Sequence, residues 1–107
     1  MAVRQVTIEE LKGSLPGGRT LIDVREPDEY VVGHISTAVN IPLSTIQDSI
    51  EHFRDESEVY LVCRTGNRSL SACEYLHDRD IVNVVNVATG IVGWVASGGT
   101  LTQGDQP

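Results

Sequence analysis

"VYLVCRTGNRSLSACEYL", residues 59–76, changes periodicity partway along. Val59 to Val62 is a continuous apolar, β-rich run of the kind buried on both faces of a parallel sheet. Leu70, Cys73 and Leu76 or His77 then recur at helical spacing. Between the two patterns lies a short polar loop that opens on Cys63 and carries Arg64 and Arg68. The stretch reads as strand, loop and helix, with a cysteine at the carboxyl end of the strand.

The same alternation continues on either side. "TLIDV" at 20–24, "AVNIP" at 38–42 and "VVNV" at 84–87 are further short strand patterns. Thr7 and Glu10 have capping-box spacing, which predicts a helix over "TIEELK" stopped by Gly13. Pro27 suits a first helical turn, and "PDEYVV" reads as a helix stopped by Gly33. Ser44 and Gln47 suggest a second capping box, with Ile46, Ile50 and Phe53 on one helical face. A last helix runs through Ile91, Trp94 and Val95 and ends near Gly98 and Gly99. Strands alternating with helices predict an α/β fold, a central parallel sheet of about five short strands with helices on both faces. Residues 1–99 form one domain in this reading, and 100–107, "LTQGDQP" after Thr100, a disordered tail. In such sheets ligands sit at the carboxyl ends of the strands, where Cys63 lies.

Composition narrows the function classes. A chain of 107 residues with 40% hydrophobic content can bury roughly two-thirds of its unfolded surface without metal or disulfide support. A net charge of −7 argues against a nucleic-acid or anionic-membrane surface, which would need clustered Lys and Arg. The acidic residues are dispersed in "EPDE", "DESE" and "HDRD" and read as solvated surface. The N-terminus has no apolar signal segment, and no window reaches the length of a membrane span. Two cysteines do not make a secreted disulfide framework, so the expected setting is a reduced cytoplasm.

The loop itself carries chemistry. A cysteine before a helix N-terminus faces unpaired N–H groups and the positive end of the helix dipole. These, with Arg64 and Arg68, favour thiolate over thiol. Gly66 and Asn67 are the residues best suited to positive φ in a loop that turns several N–H groups inward. Such a nest, with two of the chain's eight basic residues, suits a small anionic substrate. Two arginines so close to the cysteine do not fit an inert apolar pocket. Cys73 lies on the apolar stripe and reads as core, and its spacing to His77 lacks the further ligands that zinc requires, so no metal is expected. No dinucleotide, Walker or serine-hydrolase motif is present, and no cofactor is expected. His34 reads as a polar anchor, His52 as solvent-facing, and Asp23 with Arg25 as a structural charge pair.

Three separated segments, in order, then resemble one family. "LIDVREPDEYVVGHISTAVNIP", "VYLVCRTGNRSLSA" and "VVNVATGIVGWVASG" are similar to the signatures of single-domain rhodaneses, the sulfurtransferase family, up to about Gly99. Ser36-Thr37 stands where that family usually has Pro-Gly, and Thr89-Gly90 where it has a double glycine; both positions lie outside the catalytic loop. The resemblance implies a rhodanese-like fold with Cys63 as nucleophile. Arg64, Thr65, Gly66, Asn67, Arg68 and Ser69 would form the substrate cradle. It implies transfer of a sulfane sulfur from thiosulfate or a related anionic donor to a thiophilic acceptor through a Cys63 persulfide. A persulfide carrier in a sulfur relay, with a protein partner, uses the same chemistry. A non-catalytic binding module on this fold is expected to lose the cysteine or the loop's charges. A cysteine phosphatase or arsenate reductase fits less well: its loop has one more residue between Cys and Arg than the four separating Cys63 from Arg68.

Overall fold

The computed structural model of the chain describes residues 2–107. In order it contains β1 (Arg4–Val6), α1 (Ile8–Ser14), β2 (Thr20–Asp23), α2 (Pro27–Val32), β3 (Val39–Asn40), β4 (Val59–Val62), α3 (Asn67–His77), β5 (Val84–Val87) and α4 (Gly90–Ala96). The five strands pair in the order β1-β5-β4-β2-β3, every pair parallel. The apolar run of β4 works on both faces because successive side chains point opposite ways. Val59 and Leu61 join Phe53, Cys73, Leu76 and Ile81 on one face. Tyr60 and Val62 join Leu11, Tyr30, Val85 and Ile91 on the other. The expected sheet, covered on both faces, is therefore present.

Local signals account for the helix starts. Thr7 caps α1 through the expected box: its hydroxyl accepts from Glu10 N at 3.1 Å and its own N–H donates to Glu10 Oε1 at 3.0 Å. Pro27 opens α2, whose cap is Glu26 paired reciprocally with Glu29.

Three expectations need correction. The strand β1 lies outside the four segments whose sequence predicts strands. It is only three residues long, and its side chains at Arg4 and Gln5 are exposed, so little apolar pattern marks it. The helix expected after Ser44 is instead two 3₁₀ segments, Leu43–Asp48 and Ile50–Phe53. Ser44 does not cap it, because its hydroxyl donates to Glu26 Oε1 at 2.6 Å, and Thr45 and Ser49 leave the helical region. Ile46 and Phe53 are buried all the same.

The third correction concerns 100–107. Thr102 forms an antiparallel bridge with His34, with N–H···O bonds of 2.9 and 2.7 Å. Gly104 N donates to Val31 O at 2.9 Å, and the Trp94 indole N–H donates to Thr100 O at 2.8 Å. The segment's own backbone groups carry these hydrogen bonds, and its Leu101 side chain lies over Gly33. His34 is fully buried, stacks on Tyr30, and places its ring nitrogens 2.9 Å from Tyr30 O and 2.8 Å from Gln106 O. It is a polar anchor, and what it anchors is this last segment.

Of the two departures from the family pattern, Thr37 stands at φ 77° where glycine is usual. A β-branched residue there is strained by roughly 1–3 kcal/mol.

Candidate active site

Strand alternation carries Cys63 onto the α3 face, with Val59 and Leu61. The chain then turns through Gly66, the N-cap of α3, at φ 95°. That turn aims N–H groups at the sulfur: Gly66 N lies 3.2 Å and Ser69 N 3.3 Å from Cys63 Sγ, with Ser69 Oγ also at 3.3 Å. Gly66 is required twice over, by its φ and because a Cβ there would stand 2.1 Å from Ala88 O. On the other side α4 grips the loop: Ile91 N donates to Cys63 O at 2.9 Å and Val92 N to Arg64 O at 3.0 Å. A Cβ on Gly90 would come within 2.3 Å of Cys63 O. Gly90 lies outside the cysteine loop in sequence yet packs directly against it.

The electrostatics follow from these contacts. Cys63 is 1% exposed, and burial by itself pushes its thiol up. The Ser69 hydroxyl and the backbone N–H groups of Ser69, Gly66 and Thr65 outweigh burial, so the thiol is held below its ordinary value. Cys73, in the apolar core with Leu76, has no such donors, and burial pushes it up to about 12. The two cysteines of one chain therefore differ in kind.

The residues read as a cradle are not equivalent in place. Gly66 and Ser69 contact the sulfur through backbone N–H, and the Thr65 N–H adds to the field that favours the thiolate. Asn67 is the first residue of α3 and has no positive φ, which Gly66 alone supplies in the loop. Arg68 is taken by Glu29 of α2, with nitrogen–oxygen distances of 2.6 and 2.9 Å. Its charge is neutralised there, so it ties the loop to α2. Arg64 is exposed, and among the described residues it makes no ion pair. Asp23 and Arg25 form a buried pair at 2.8 Å, and the Arg25 guanidinium also donates to Gly33 O at 2.7 Å, fixing the end of α2.

The Arg68 hydrogen bonds hold the Glu29 carboxyl down to about 2 from the ordinary 4.5. A carboxylate with a depressed folded value stabilises the fold fully above its unfolded value and loses that contribution as pH falls. The acid-side loss due to this pair should therefore fall between about pH 4.5 and 2. In urea unfolding at stepped pH, Glu29→Gln should show a shallower decline than the parent over that window. Identical slopes would mean that the pair contributes nothing.

Among the described residues no helix is long and apolar enough to cross a membrane. Comparison with known proteins gives a consistent result. A Bacillus subtilis protein named as a candidate sulfurtransferase, YtwF, is 32% identical over 96 residues, covering 88% of this chain and 92% of that protein. Another from the same organism, named as a candidate sulfur carrier protein, YrkF, is 28% identical over 95 residues; the match covers 87% of this chain but about half, 51%, of that protein. A crystal structure of a rhodanese-related protein from Thermoplasma volcanium superposes with a TM-score of 0.85 at 30% identity, over 94% of this chain and 99% of that one. The family model for the rhodanese-like domain matches residues 7–97, which hold strands β2 to β5 and the cysteine loop but not β1. The chain belongs to the rhodanese-like domain family.

Proposed function

We propose that the protein is a sulfurtransferase that carries a sulfane sulfur on Cys63 as a persulfide. One observation carries this reading: Cys63 Sγ lies at the focus of N–H groups from the first turn of α3, at 3.2–3.3 Å. The donors lower the cost of charge on sulfur before any substrate arrives, and the α3 dipole adds to them.

The reaction has two halves. The Cys63 thiolate attacks the outer sulfur of thiosulfate or a related donor. A new S–S bond forms, the donor's S–S bond breaks, and its electron pair leaves with sulfite. A thiophilic acceptor, cyanide or a thiol, then attacks the outer sulfur of the persulfide, and the electron pair of that S–S bond returns to Cys63. With four residues between Cys63 and Arg68, one fewer than in a phosphatase loop, the loop suits one added sulfur atom better than a phosphoryl group with its equatorial oxygens. With Arg68 paired to Glu29, Arg64 is the cation placed to draw in an anionic donor.

Steady-state transfer from thiosulfate to cyanide tests this. The expected pattern is parallel double-reciprocal lines, since the acceptor meets only the persulfide form. Arg64→Ala should raise KM for thiosulfate roughly tenfold and leave the acceptor step unchanged. Intersecting lines would contradict a covalent intermediate. A second reading, a persulfide carrier loaded by another protein, is supported by the name of the Bacillus relative YrkF. It predicts slow turnover with thiosulfate but the same persulfide.

A further inference from the structure

Asn86 is the one polar side chain in the valine strand β5, and it is 1% exposed. It lies behind the cysteine loop rather than in it. Its Nδ2 donates to Gly66 O at 3.1 Å and to Gln5 Oε1 at 2.9 Å. A carbonyl only accepts, so the contact with Gly66 fixes the amide with Oδ1 toward Ser69. Ser69 Oγ is in close contact with that Oδ1 and also 3.3 Å from Cys63 Sγ. The hydroxyl has one hydrogen and Oδ1 has none, so the Ser69–Asn86 contact is a hydrogen bond only when Ser69 donates. The same hydrogen is the one a thiolate at Cys63 draws on.

We propose that Asn86 is a positioning residue for Cys63 that acts through Ser69: it fixes the hydroxyl's rotamer and competes with the sulfur for its single hydrogen. The assignment rests on Cys63 being the nucleophile. In the thiol form the S–H donates to Ser69 Oγ, whose hydrogen lies on Asn86. In the thiolate form the hydrogen swings to the sulfur and Asn86 Oδ1 loses its partner. Asn86 thereby limits how firmly the loop holds the charge and keeps the sulfur more nucleophilic, because nucleophilicity falls as a thiol becomes more acidic. Once the persulfide forms, charge moves to the outer sulfur and the hydrogen can return to Asn86.

Asn86→Leu keeps the shape of the amide and removes the competition. Gly66 O and Gln5 Oε1 each lose a donor, but Gly66 O retains the Leu70 N–H at 3.2 Å and Gln5 is exposed to water, so the Ser69 hydroxyl is the group left with the sulfur alone. The experiment is a pH titration of ultraviolet thiolate absorbance in a Cys73→Ala background, for the parent, Asn86→Leu, Ser69→Ala and the double variant. Asn86→Leu should lower the Cys63 midpoint by about one pH unit, the scale of one hydrogen bond to a charged group. The double variant should titrate like Ser69→Ala alone. A purely structural role gives the opposite sign: a loosened loop raises the midpoint whether or not Ser69 is present. A midpoint unchanged or raised in Asn86→Leu, or lowered equally without Ser69, overturns the proposal. If circular dichroism shows Asn86→Leu unfolded, Asn86→Ala is read by the same criteria. A parent with no thiolate below the ordinary cysteine range overturns the nucleophile reading, and this one with it.

Discussion

Cys63→Ser should leave a folded protein that takes up no sulfur from any donor. The substitution keeps a small side chain under the same N–H groups of Gly66 and Ser69. A serine hydroxyl is not ionised near neutral pH, however, and the loop cannot supply so large a shift. The expected loss in transfer is about four orders of magnitude or more, as for removal of a covalent nucleophile. Cys73→Ala is the control within the same chain. Cys73 lies on the apolar side of α3, with burial holding it as a thiol. Its replacement should cost about 1–2 kcal/mol of stability through lost packing and leave transfer near the parent rate. Equal loss from both substitutions would refute the division between a reactive and a packing cysteine. Thermal melts beside the activity assay separate lost chemistry from lost fold.

Gly66→Ala should be the most damaging change that touches no functional side chain. The residue sits at φ 95°, which alone costs an L-residue about 1–2 kcal/mol. Its added methyl would stand 2.1 Å from Ala88 O and 2.8 Å from Ala88 C, backbone atoms that can move only if β5 or the loop moves. A further 1–3 kcal/mol is typical of such overpacking. A total of roughly 3 kcal/mol corresponds to about 15 °C in Tm for a domain of this size. Because the same N–H points at Cys63, the Cys63 thiol should also lose acidity. Gly90→Ala, against Cys63 O and Arg64 O, should behave alike. A Gly66→Ala protein with parental Tm and parental Cys63 titration would show that the loop does not depend on this turn.

What the sequence made legible was chemistry confined to one short segment. Cys63, Gly66 and Ser69 share a loop, and the pattern of strand, cysteine, loop and helix already implies inward N–H groups. The pairing of Arg68 has no local signal, because its partner, Glu29, is 39 residues away. Asn86 sits inside a run whose valines dominate the pattern; its one signal is that a lone amide in a buried strand needs hydrogen-bond partners. Gly90 lies outside the catalytic loop in sequence, and its contact with Cys63 O exists only once β4 and β5 are side by side. The last segment escaped because backbone hydrogen bonds to Val31 and His34 leave no trace in side-chain composition.

The most direct measurement is the intact mass of the reduced protein after anaerobic mixing with thiosulfate, with the Cys63→Ser variant alongside. Sulfur transfer through Cys63 predicts a gain of one sulfur atom on the parent, removed by cyanide, and no gain on the variant. A parent that gains nothing from thiosulfate or from a small-molecule persulfide, or a variant that gains as much as the parent, would contradict it.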